Sequence, residues 1–347
     1  MNFKKKLIKK IKEKRNALRV DEFISHVLYE KNSYYISKNP IGYSGDFITS
    51  PEISQMFGEI LGIYILNYWL EKIQSKFDLI ELGPGKGTLL GDILRTTKLE
   101  NRFNKSANIK LIERNKKLIK IQKNKTISCK LKNIVWLKKF NTNSNLPSII
   151  YSNEFFDCLP VRQFYKNEIW YEKLIDYNKL KDIFFFKDKK VTTKKTLDYL
   201  QKYNKTEIAE ISYQRANLFS NLCKHIYKNK GMIILIDYGY ELPIQNFTLQ
   251  SVSGHKKTHV FDNIGLQDIT SLVNFGELIN ITNQFNLNIV SYCNQRDFLI
   301  TNGILQRKEI LKKNLPKAKR EIIEQQFQRL TDKNSMGKDF KFFIVSS

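Results

Sequence analysis

The fold is decided by Glu81-Leu82-Gly83-Pro84-Gly85-Lys86-Gly87-Thr88, a segment that follows an apolar run beginning at Phe77. The apolar residues from Phe77 to Leu82 predict a buried β-strand, and those from Thr88 to Arg95 predict a helix. Three glycines between a strand and a helix let the backbone take positive φ angles and bring its N–H groups close to a ligand. The segment therefore predicts a strand–loop–helix unit with a ligand-binding loop.

The spacing of the glycines distinguishes three classes of cofactor. Dinucleotide sites have the pattern G-x-G-x-x-G, whereas here the third glycine is Gly87 and position 88 is a threonine. A P-loop has Ser or Thr directly after its lysine, but Gly87 follows Lys86. The G-x-G-x-G spacing favours S-adenosylmethionine, the cofactor of methyltransferases. A purely structural glycine turn is the alternative.

The charged groups of S-adenosylmethionine also match the sequence. Its carboxylate suits the N-terminus of the helix. Its ammonium group suits Glu81, which lies near the end of the strand, or a backbone carbonyl. Glu113 ends the next predicted strand, where a carboxylate can accept hydrogen bonds from both ribose hydroxyls. The predicted cofactor-binding residues of this region are Glu81, Gly83, Gly85, Gly87 and Glu113.

Further apolar runs separated by helical patterns predict an α/β fold with a largely parallel sheet. Continuously apolar strands are typical of a sheet that helices cover on both faces. The predicted strands after Leu82 are Ile109 to Ile112, Ile134 to Leu137, Ile149 to Tyr151 and Met232 to Ile236, with Ile289 to Tyr292 and Phe340 to Val345 as the last two.

Three other regions surround this alternating pattern. The N-terminal part has helical periodicity at Met1 to Arg15, at residues 17–38 and at Ile53 to Ile73. Alternating aromatic and lysine residues between Phe164 and Leu200 predict inserted β-hairpins, and Glu241 to Leu272 is expected to be a long polar loop. We therefore expect an N-terminal helical region at residues 1–75 that packs on the core. A methyltransferase domain at residues 76–347 follows, with insertions at about 164–205 and 241–272.

A second polar cluster, Ser152-Asn153-Glu154-Phe155-Phe156-Asp157-Cys158-Leu159-Pro160, follows the fourth predicted strand. Ligands of open α/β sheets bind at the carboxyl ends of the strands, so these residues are expected to face the cofactor. The carboxylates of Glu154 and Asp157 suit an arginine guanidinium, which needs acids to orient it and to accept its charge. A helix start with a buried phenylalanine pair is the alternative.

The composition restricts the class of protein. The net charge is +25, from 59 Lys and Arg against 34 Asp and Glu. A charge of this size attracts anionic partners, but the lysines are spread along the chain, which favours a compositional origin over a nucleic-acid surface. The four cysteines and four histidines lack metal-ligand spacing, so no metal is expected. The longest apolar run, near Met232 to Ile236, is far shorter than the ~20 residues of a membrane span.

Several blocks in order along the chain resemble the MidA-like methyltransferases. They cover nearly the whole chain, from about Leu7 to Val345. They are Gly45-Asp46-Phe47-Ile48-Thr49-Ser50-Pro51-Glu52-Ile53-Ser54, the glycine loop, Asn153-Glu154-Phe155-Phe156-Asp157, Asp237-Tyr238-Gly239-Tyr240, the segment around His255, Asp268-Ile269-Thr270 and Met336-Gly337-Lys338-Asp339-Phe340-Lys341.

The resemblance implies a seven-stranded, Rossmann-like class I methyltransferase sheet with a helical N-terminal region and inserted cap loops. It also implies S-adenosylmethionine-dependent methylation of arginine on a partner protein. Mitochondrial members of the family act on the large quinone-site subunit of respiratory complex I and support its assembly. By resemblance, Asp46, Thr49 and Ser50 close over the cofactor, and Glu154 and Asp157 are catalytic. The substrate-contacting residues implied are Asn153, Phe155, Asp237 and His255. Capping of a turn is the alternative for Asp237, and a plain loop histidine is the alternative for His255.

Two rival functions follow from the same residues. A nucleic-acid methyltransferase would use the net positive charge and the aromatic pair Phe155-Phe156, but Pro160 comes too late for the usual Asn/Asp-Pro-Pro-aromatic motif. A non-catalytic assembly chaperone would keep the fold without needing the glycine loop. The expected compartment is the bacterial cytoplasm, with the mitochondrial matrix as the alternative, and the oligomeric state, including a homodimer, is left open.

Overall fold

The structure is a computed structural model that describes residues 3–14, 17–30, 33–37, 42, 45–46, 48–128, 133–141, 143–203, 206–241 and 243–347. Phe47 in the predicted cofactor-closing block and Cys129 lie outside the described residues.

The strands and helices are numbered in chain order. The strands are β1 Leu18–Arg19, β2 Phe77–Leu82, β3 Ala107–Ile112, β4 Ile134–Leu137, β5 Ser148–Asn153, β6 Arg162–Asn167, β7 Ile169–Asn178, β8 Ile183–Lys190, β9 Ile208–Ile211, β10 Gly231–Tyr240, β11 Gln250–Ser253, β12 Lys256–Thr258, β13 Asp268–Thr270, β14 Val273–Asn274, β15 Asn288–Asn294 and β16 Phe340–Ser346. The helices are α1 Phe3–Glu13, α2 Val20–Tyr29, α3 Tyr34–Ser37, α4 Ser50–Ile53, α5 Gln55–Lys72, α6 Thr88–Thr96, α7 Asn101–Ser106, α8 Lys116–Ser128, α9 Lys194–Leu200, α10 Tyr213–Asn229, α11 Phe275–Gln284, α12 Gln295–Thr301, α13 Ile304–Lys312, α14 Lys317–Thr331 and α15 Met336–Asp339.

The main sheet confirms the predicted fold class. Within the described residues its strand order is β15-β16-β10-β5-β2-β3-β4, with the short β14 also pairing with β10. The strands from β10 to β4 run parallel, whereas β16 is antiparallel to both of its neighbours. All six residues of β2 are buried, because helices cover both faces of the sheet. The carboxyl ends of β2, β3, β5 and β10 therefore meet at one edge.

Alternate residues of each strand face opposite hydrophobic layers. Leu79 and Ile149 pack in a layer with residues of α5 and α6. Their neighbours Ile80 and Ile150 pack in the opposite layer with residues of α10 and α11. Burying apolar surface on both faces fixes the positions of the strand ends that carry polar side chains.

The N-terminal region contains more elements than predicted. The helix predicted at Met1 to Arg15 corresponds to α1, whose Leu7 and Ile11 are buried. Residues 17–38, predicted to be helical, form α2 and α3 among the described residues, preceded by the short β1, which pairs with β7. The helix predicted from Ile53 is also divided, because the extended Ser54 caps α5 by accepting a hydrogen bond from the N–H of Met56.

The two insertions both contain β-structure. The hairpins predicted between Phe164 and Leu200 are present as β6, β7 and β8, which pair antiparallel. The long loop expected from Glu241 to Leu272 is wrong in part, because β11 pairs with β12 and β13 in a small antiparallel sheet. Its strands are short and polar, and hydroxyl contacts such as that of Ser251 with the carbonyl of Thr258 support them. The division at residues 75 and 76 stays a prediction. No helix of the described residues is long and apolar enough to cross a membrane.

The contact between β5 and β10 provides a test of this architecture. Gly231 begins β10 with a φ angle of 138°, and a Cβ atom there would lie 1.9 Å from the carbonyl oxygen of Ser148. We expect Gly231→Ala to lower the free energy of unfolding by about 2 kcal/mol or more in urea denaturation.

Gly91 provides the matched control, because a Cβ atom on this α6 glycine meets nothing within 4 Å. Gly91→Ala is expected to leave the stability unchanged or to raise it by up to about 1 kcal/mol. Equal effects of the two substitutions would contradict the close β5–β10 approach.

Candidate active site

The glycine loop forms a tight left-handed turn between β2 and α6. The φ angles of Gly83, Gly85 and Gly87 are 65°, 52° and 74°. The N–H group of Gly87 donates to the carbonyl oxygen of Pro84 at 2.7 Å. Side chains at these positions would strain the backbone, so the pattern of three glycines is required by the turn itself.

The loop also packs closely against the residues that follow β5. A Cβ atom on Gly83 would come within 2.5 Å of the ring of Phe155. This contact brings the glycine loop and the Asn153–Asp157 segment together, as expected from their positions at the carboxyl ends of neighbouring parallel strands.

A cavity of about 310 Å³ lies between these two segments. The N-terminal region closes it with Tyr29, Tyr35 and Ile36, which the sequence analysis did not single out. The predicted site residues that line this first cavity are Thr49, Glu81, Gly83, Gly85, Glu113, Asn153, Glu154 and Phe155. The structure therefore brings most of the predicted cofactor-binding residues to one place.

Glu81 is a buried acid in the wall of the first cavity, and 3% of its surface is exposed. Its Oε2 accepts a hydrogen bond from the hydroxyl of Tyr151 at 3.1 Å. Burial, together with repulsion from Glu113, raises the pKa of Glu81 to about 8 despite that hydrogen bond. A cationic ligand group would stabilise the charged form of this acid.

Glu113 lies at the end of β3 and is oriented by its surroundings. Its Oε1 accepts hydrogen bonds from the N–H groups of Arg114 and Asn115, both at 2.7 Å. The buried Gln122 of α8 donates to the carbonyl oxygen of Gly85 at 2.7 Å and approaches Glu113 Oε2 at 3.4 Å. Gln122 thus links the glycine loop to the predicted ribose ligand, and nothing in its lysine-rich surroundings points to this role.

Glu154 projects from a strained position directly after β5. Its φ angle is 52°, and its Oε1 accepts a hydrogen bond from the amide of Asn153 at 2.9 Å. The N–H of Ser50 is 3.4 Å from the same oxygen. Burial and repulsion from Asp157 raise the pKa of Glu154 to about 8. Asp157 does not line the first cavity but a second one, whose wall also includes Glu154.

Asp237 holds the turn that carries these acids. Its Oδ2 accepts hydrogen bonds from the N–H groups of Phe155, Phe156 and Asp157 at 3.2, 2.9 and 3.2 Å. Asp237 is 1% exposed and lines neither of these two cavities. The geometry favours turn capping, the alternative role considered for this residue.

The remaining predicted residues lie outside the two cavities. Asp46 accepts hydrogen bonds from the hydroxyl of Tyr34 and from the N–H of Gly254, and its carbonyl accepts from the N–H of His255. Asp46 and His255 therefore join the N-terminal region to the β11–β12 turn. The buried hydroxyl of Ser50 donates to Gln295. Roles for these residues in binding the cofactor or substrate stay predictions.

Comparison with known proteins decides the family. Residues 60–293 match the family model described as putative S-adenosyl-L-methionine-dependent methyltransferase. The chain belongs to this family. It is 30% identical to the mitochondrial protein arginine methyltransferase NDUFAF7 of Danio rerio over 90% of this chain and 79% of that protein. It is 31% identical to NDUFAF7 of Bos taurus over 98% of this chain and 82% of that protein.

A solved structure has the same fold over almost the whole chain. It is a COG1565 superfamily member and likely methyl transferase from Burkholderia thailandensis, bound to S-adenosyl-homocysteine. Its TM-score is 0.86 at 20% identity, and the match covers 99% of this chain and 92% of that chain. The structural match shows the fold, and the family model together with the relatives shows that the protein is an S-adenosylmethionine-dependent methyltransferase.

The first cavity fits this cofactor on its own geometry. Asn153 Oδ1 is buried without a hydrogen-bond partner among the described residues, and such an acceptor requires a donor. Glu81 is a buried acid that needs a cation, which the amino group of the cofactor would provide. The glycine loop leads into the N-terminus of α6, where a carboxylate is stabilised.

The raised pKa of Glu81 predicts a pH dependence of stability without cofactor. The folded protein retains a proton that the unfolded chain releases near pH 4.5, and loses it only near pH 8. The contribution of Glu81 to stability is therefore complete below pH 4.5, declines as the pH rises from there, and is lost once the pH has passed through 8. The expected slope is about 1.4 kcal/mol per pH unit between these values.

The measurement is urea denaturation of the cofactor-free protein from pH 5 to 8. Glu81→Gln, which cannot titrate, is expected to remove about that slope from the pH profile. A variant whose profile parallels the wild-type profile would show that Glu81 is ionised in the folded protein at neutral pH.

Proposed function

We propose that this enzyme transfers methyl groups to arginine side chains of a partner protein. The observation that carries the proposal is the position of Glu154, which lines both the cofactor cavity and the neighbouring cavity that contains Asp157. The relatives named protein arginine methyltransferases support it, because they match this chain over most of their own length.

Arginine suits these acids for a chemical reason. The guanidinium is planar, stays protonated in water and presents several N–H donors. Carboxylates on two sides orient it and accept part of its charge, which leaves one nitrogen directed towards the methyl donor. Glu154 and Asp157 come from one turn, and Asp237 fixes the backbone of that turn.

The residues of the chain have two tasks in this reaction. When bound, S-adenosylmethionine supplies a methyl group whose bond to sulfur breaks with the electron pair left on sulfur. Glu154 and Asp157 hold the arginine so that a nitrogen lone pair forms the new N–C bond. The proton that this nitrogen loses passes to one of the two carboxylates and then to water. Alignment of the two reactants contributes roughly 7–11 kcal/mol to lowering the barrier.

The proposed partner is the large quinone-site subunit of respiratory complex I, and the proposed role is support of complex assembly. The resemblance to the MidA-like family motivates this choice. The proposed compartment is the bacterial cytoplasm, with the mitochondrial matrix as the alternative, since the relatives are named as mitochondrial proteins.

Substitution of Glu154 tests the proposed chemistry. Glu154→Gln keeps the shape and the hydrogen bond with Asn153 but cannot carry a negative charge. We expect methyl incorporation to fall by about 100-fold, with S-adenosylhomocysteine affinity unchanged in calorimetry. Incorporation from labelled S-adenosylmethionine would be measured on complex I-containing membranes from cells that lack this gene, with the methylated residues located by mass spectrometry.

Glu321→Gln is the matched control, because Glu321 is exposed on α14 and lines neither cavity. This variant should behave as the wild type in both measurements. Full activity of Glu154→Gln, or methyl groups found on nucleic acid instead of protein arginine, would contradict the proposal.

A further inference from the structure

A second cavity of about 570 Å³ adjoins the cofactor cavity. Tyr35 and Glu154 line both cavities and so form part of the wall between them. The second cavity extends from this wall to α15 and the start of β16, where Lys338 and Lys341 border it. A molecule bound here would meet the first cavity at Tyr35 and Glu154.

The inner end of the second cavity contains two buried aspartates, each held by a tyrosine. The hydroxyl of Tyr238 donates to Oδ2 of Asp157 at 2.6 Å. The hydroxyl of Tyr35 donates to Oδ1 of Asp268 at 2.7 Å. Asp157 and Asp268 are 6% and 5% exposed, and Oδ1 of Asp157 is buried without a hydrogen-bond partner among the described residues. An orphaned buried acceptor in a cavity wall indicates a missing donor.

The positive charge of Arg215 acts on Asp157 from a distance and partly offsets its negative charge. The buried guanidinium of Arg215 donates to the carbonyl oxygens of Phe156, Asp157, Ser271 and Leu272 and to the hydroxyl of Ser271. It forms no hydrogen bond with the cavity carboxylates and does not line the cavity. Burial and repulsion from Asp157 raise the pKa of Asp268 to about 7, as expected for an acid that lacks a cation.

The shape and the outer end restrict which cation fits. Tyr35, Tyr238 and Phe340 place aromatic rings in the cavity wall, and flat walls of this kind suit a planar guanidinium. Lys338 and Asp339 are exposed and Lys341 is half-buried at the outer end, so the net charge there is positive and disfavours a free cation. A positive group is therefore favoured at the depth of Asp157 and Asp268, which a long side chain reaches.

We propose that the second cavity binds the acceptor side chain and that Asp268, with Asp157, makes the site specific for a guanidinium group. This inference rests on the proposed arginine methyltransferase function and adds the location and specificity of its acceptor site. Asp268 and Asp157 accept N–H donors of the guanidinium, while Tyr35 and Tyr238 position the two carboxylates. The lysines at the outer end favour an acidic residue next to the arginine in the substrate.

Ligand binding to the protein saturated with S-adenosylhomocysteine tests this site without measuring turnover. The probes are N-acetyl-arginine methylamide, the corresponding lysine compound and the corresponding citrulline compound, in which a neutral ureido group replaces the guanidinium. Saturation-transfer NMR titrations should show the arginine compound binding about tenfold or more tightly than either of the others, because only the guanidinium provides several charged N–H donors to the two carboxylates. Equal binding of arginine and citrulline compounds would overturn the proposal on the unaltered protein.

Asp268→Asn adds a test of the specific residue. It should weaken binding of the arginine compound about tenfold while S-adenosylhomocysteine affinity stays at the wild-type value, which also shows that the variant is folded. Asp198→Asn, at an exposed aspartate on α9, makes the same charge change outside the cavity and should have no effect.

If Asp268→Asn prevents folding, Asp157→Asn and the citrulline comparison still test whether the second cavity binds the guanidinium group. One outcome is that the wild type methylates protein arginine while the Asp268→Asn variant binds the arginine compound as tightly as the wild type. That pair of results would refute this site but leave the proposed function intact. Selective arginine binding without arginine methylation of protein would refute the proposed function instead.

Discussion

The site depends on the carboxylate of Asp237, one oxygen of which accepts hydrogen bonds from three successive backbone N–H groups. These groups belong to the turn that follows β5, and Asp237 lies in the neighbouring strand β10. Because β5 and β10 pair as buried parallel strands, Asp237 is held next to the turn after β5 and fixes its backbone beyond the edge of the sheet. Glu154 and Asp157 lie at either end of this turn, so that Glu154 lines both cavities and Asp157 lines only the second. Burial of the hydrophobic layers stabilises these strands and therefore keeps Glu154 and Asp157 in place, which a polar loop alone would not do.

Both cavities contain buried acids that form no ion pair within the part of the chain that the structure describes. Glu81 in the first and Asp268 in the second have pKa values raised to about 8 and about 7, and burial is the main cause. Such acids lower the stability of the empty protein near neutral pH and favour cationic ligands. An amino group in one cavity and a guanidinium in the other would relieve this cost. The enzyme is therefore expected to gain stability from both ligands.

The sequence predicted the parts of the fold that depend on local periodicity. The bounds of β2 and β4 agree with the predicted apolar runs. For β2 the reason is burial on both faces, which leaves a nearly continuous apolar pattern. The glycine loop was also predictable from a local pattern, because its turn requires positive φ angles that favour glycine. The sheet of β11, β12 and β13 was missed because its strands are short and polar. Asp268 and Tyr35 meet only through tertiary folding, as they are 233 residues apart, so their contact left no local pattern.

The central claim is that the cofactor and its acceptor meet across Glu154 from separate cavities. A crystal structure with S-adenosylhomocysteine and N-acetyl-arginine methylamide tests it most directly. We expect the amino group of S-adenosylhomocysteine beside Glu81, its ribose at Glu113, and its sulfur facing Glu154, with the guanidinium between Asp157 and Asp268. A sulfur atom directed away from Glu154, or an arginine bound outside the second cavity, would show that the two ligands do not meet at Glu154.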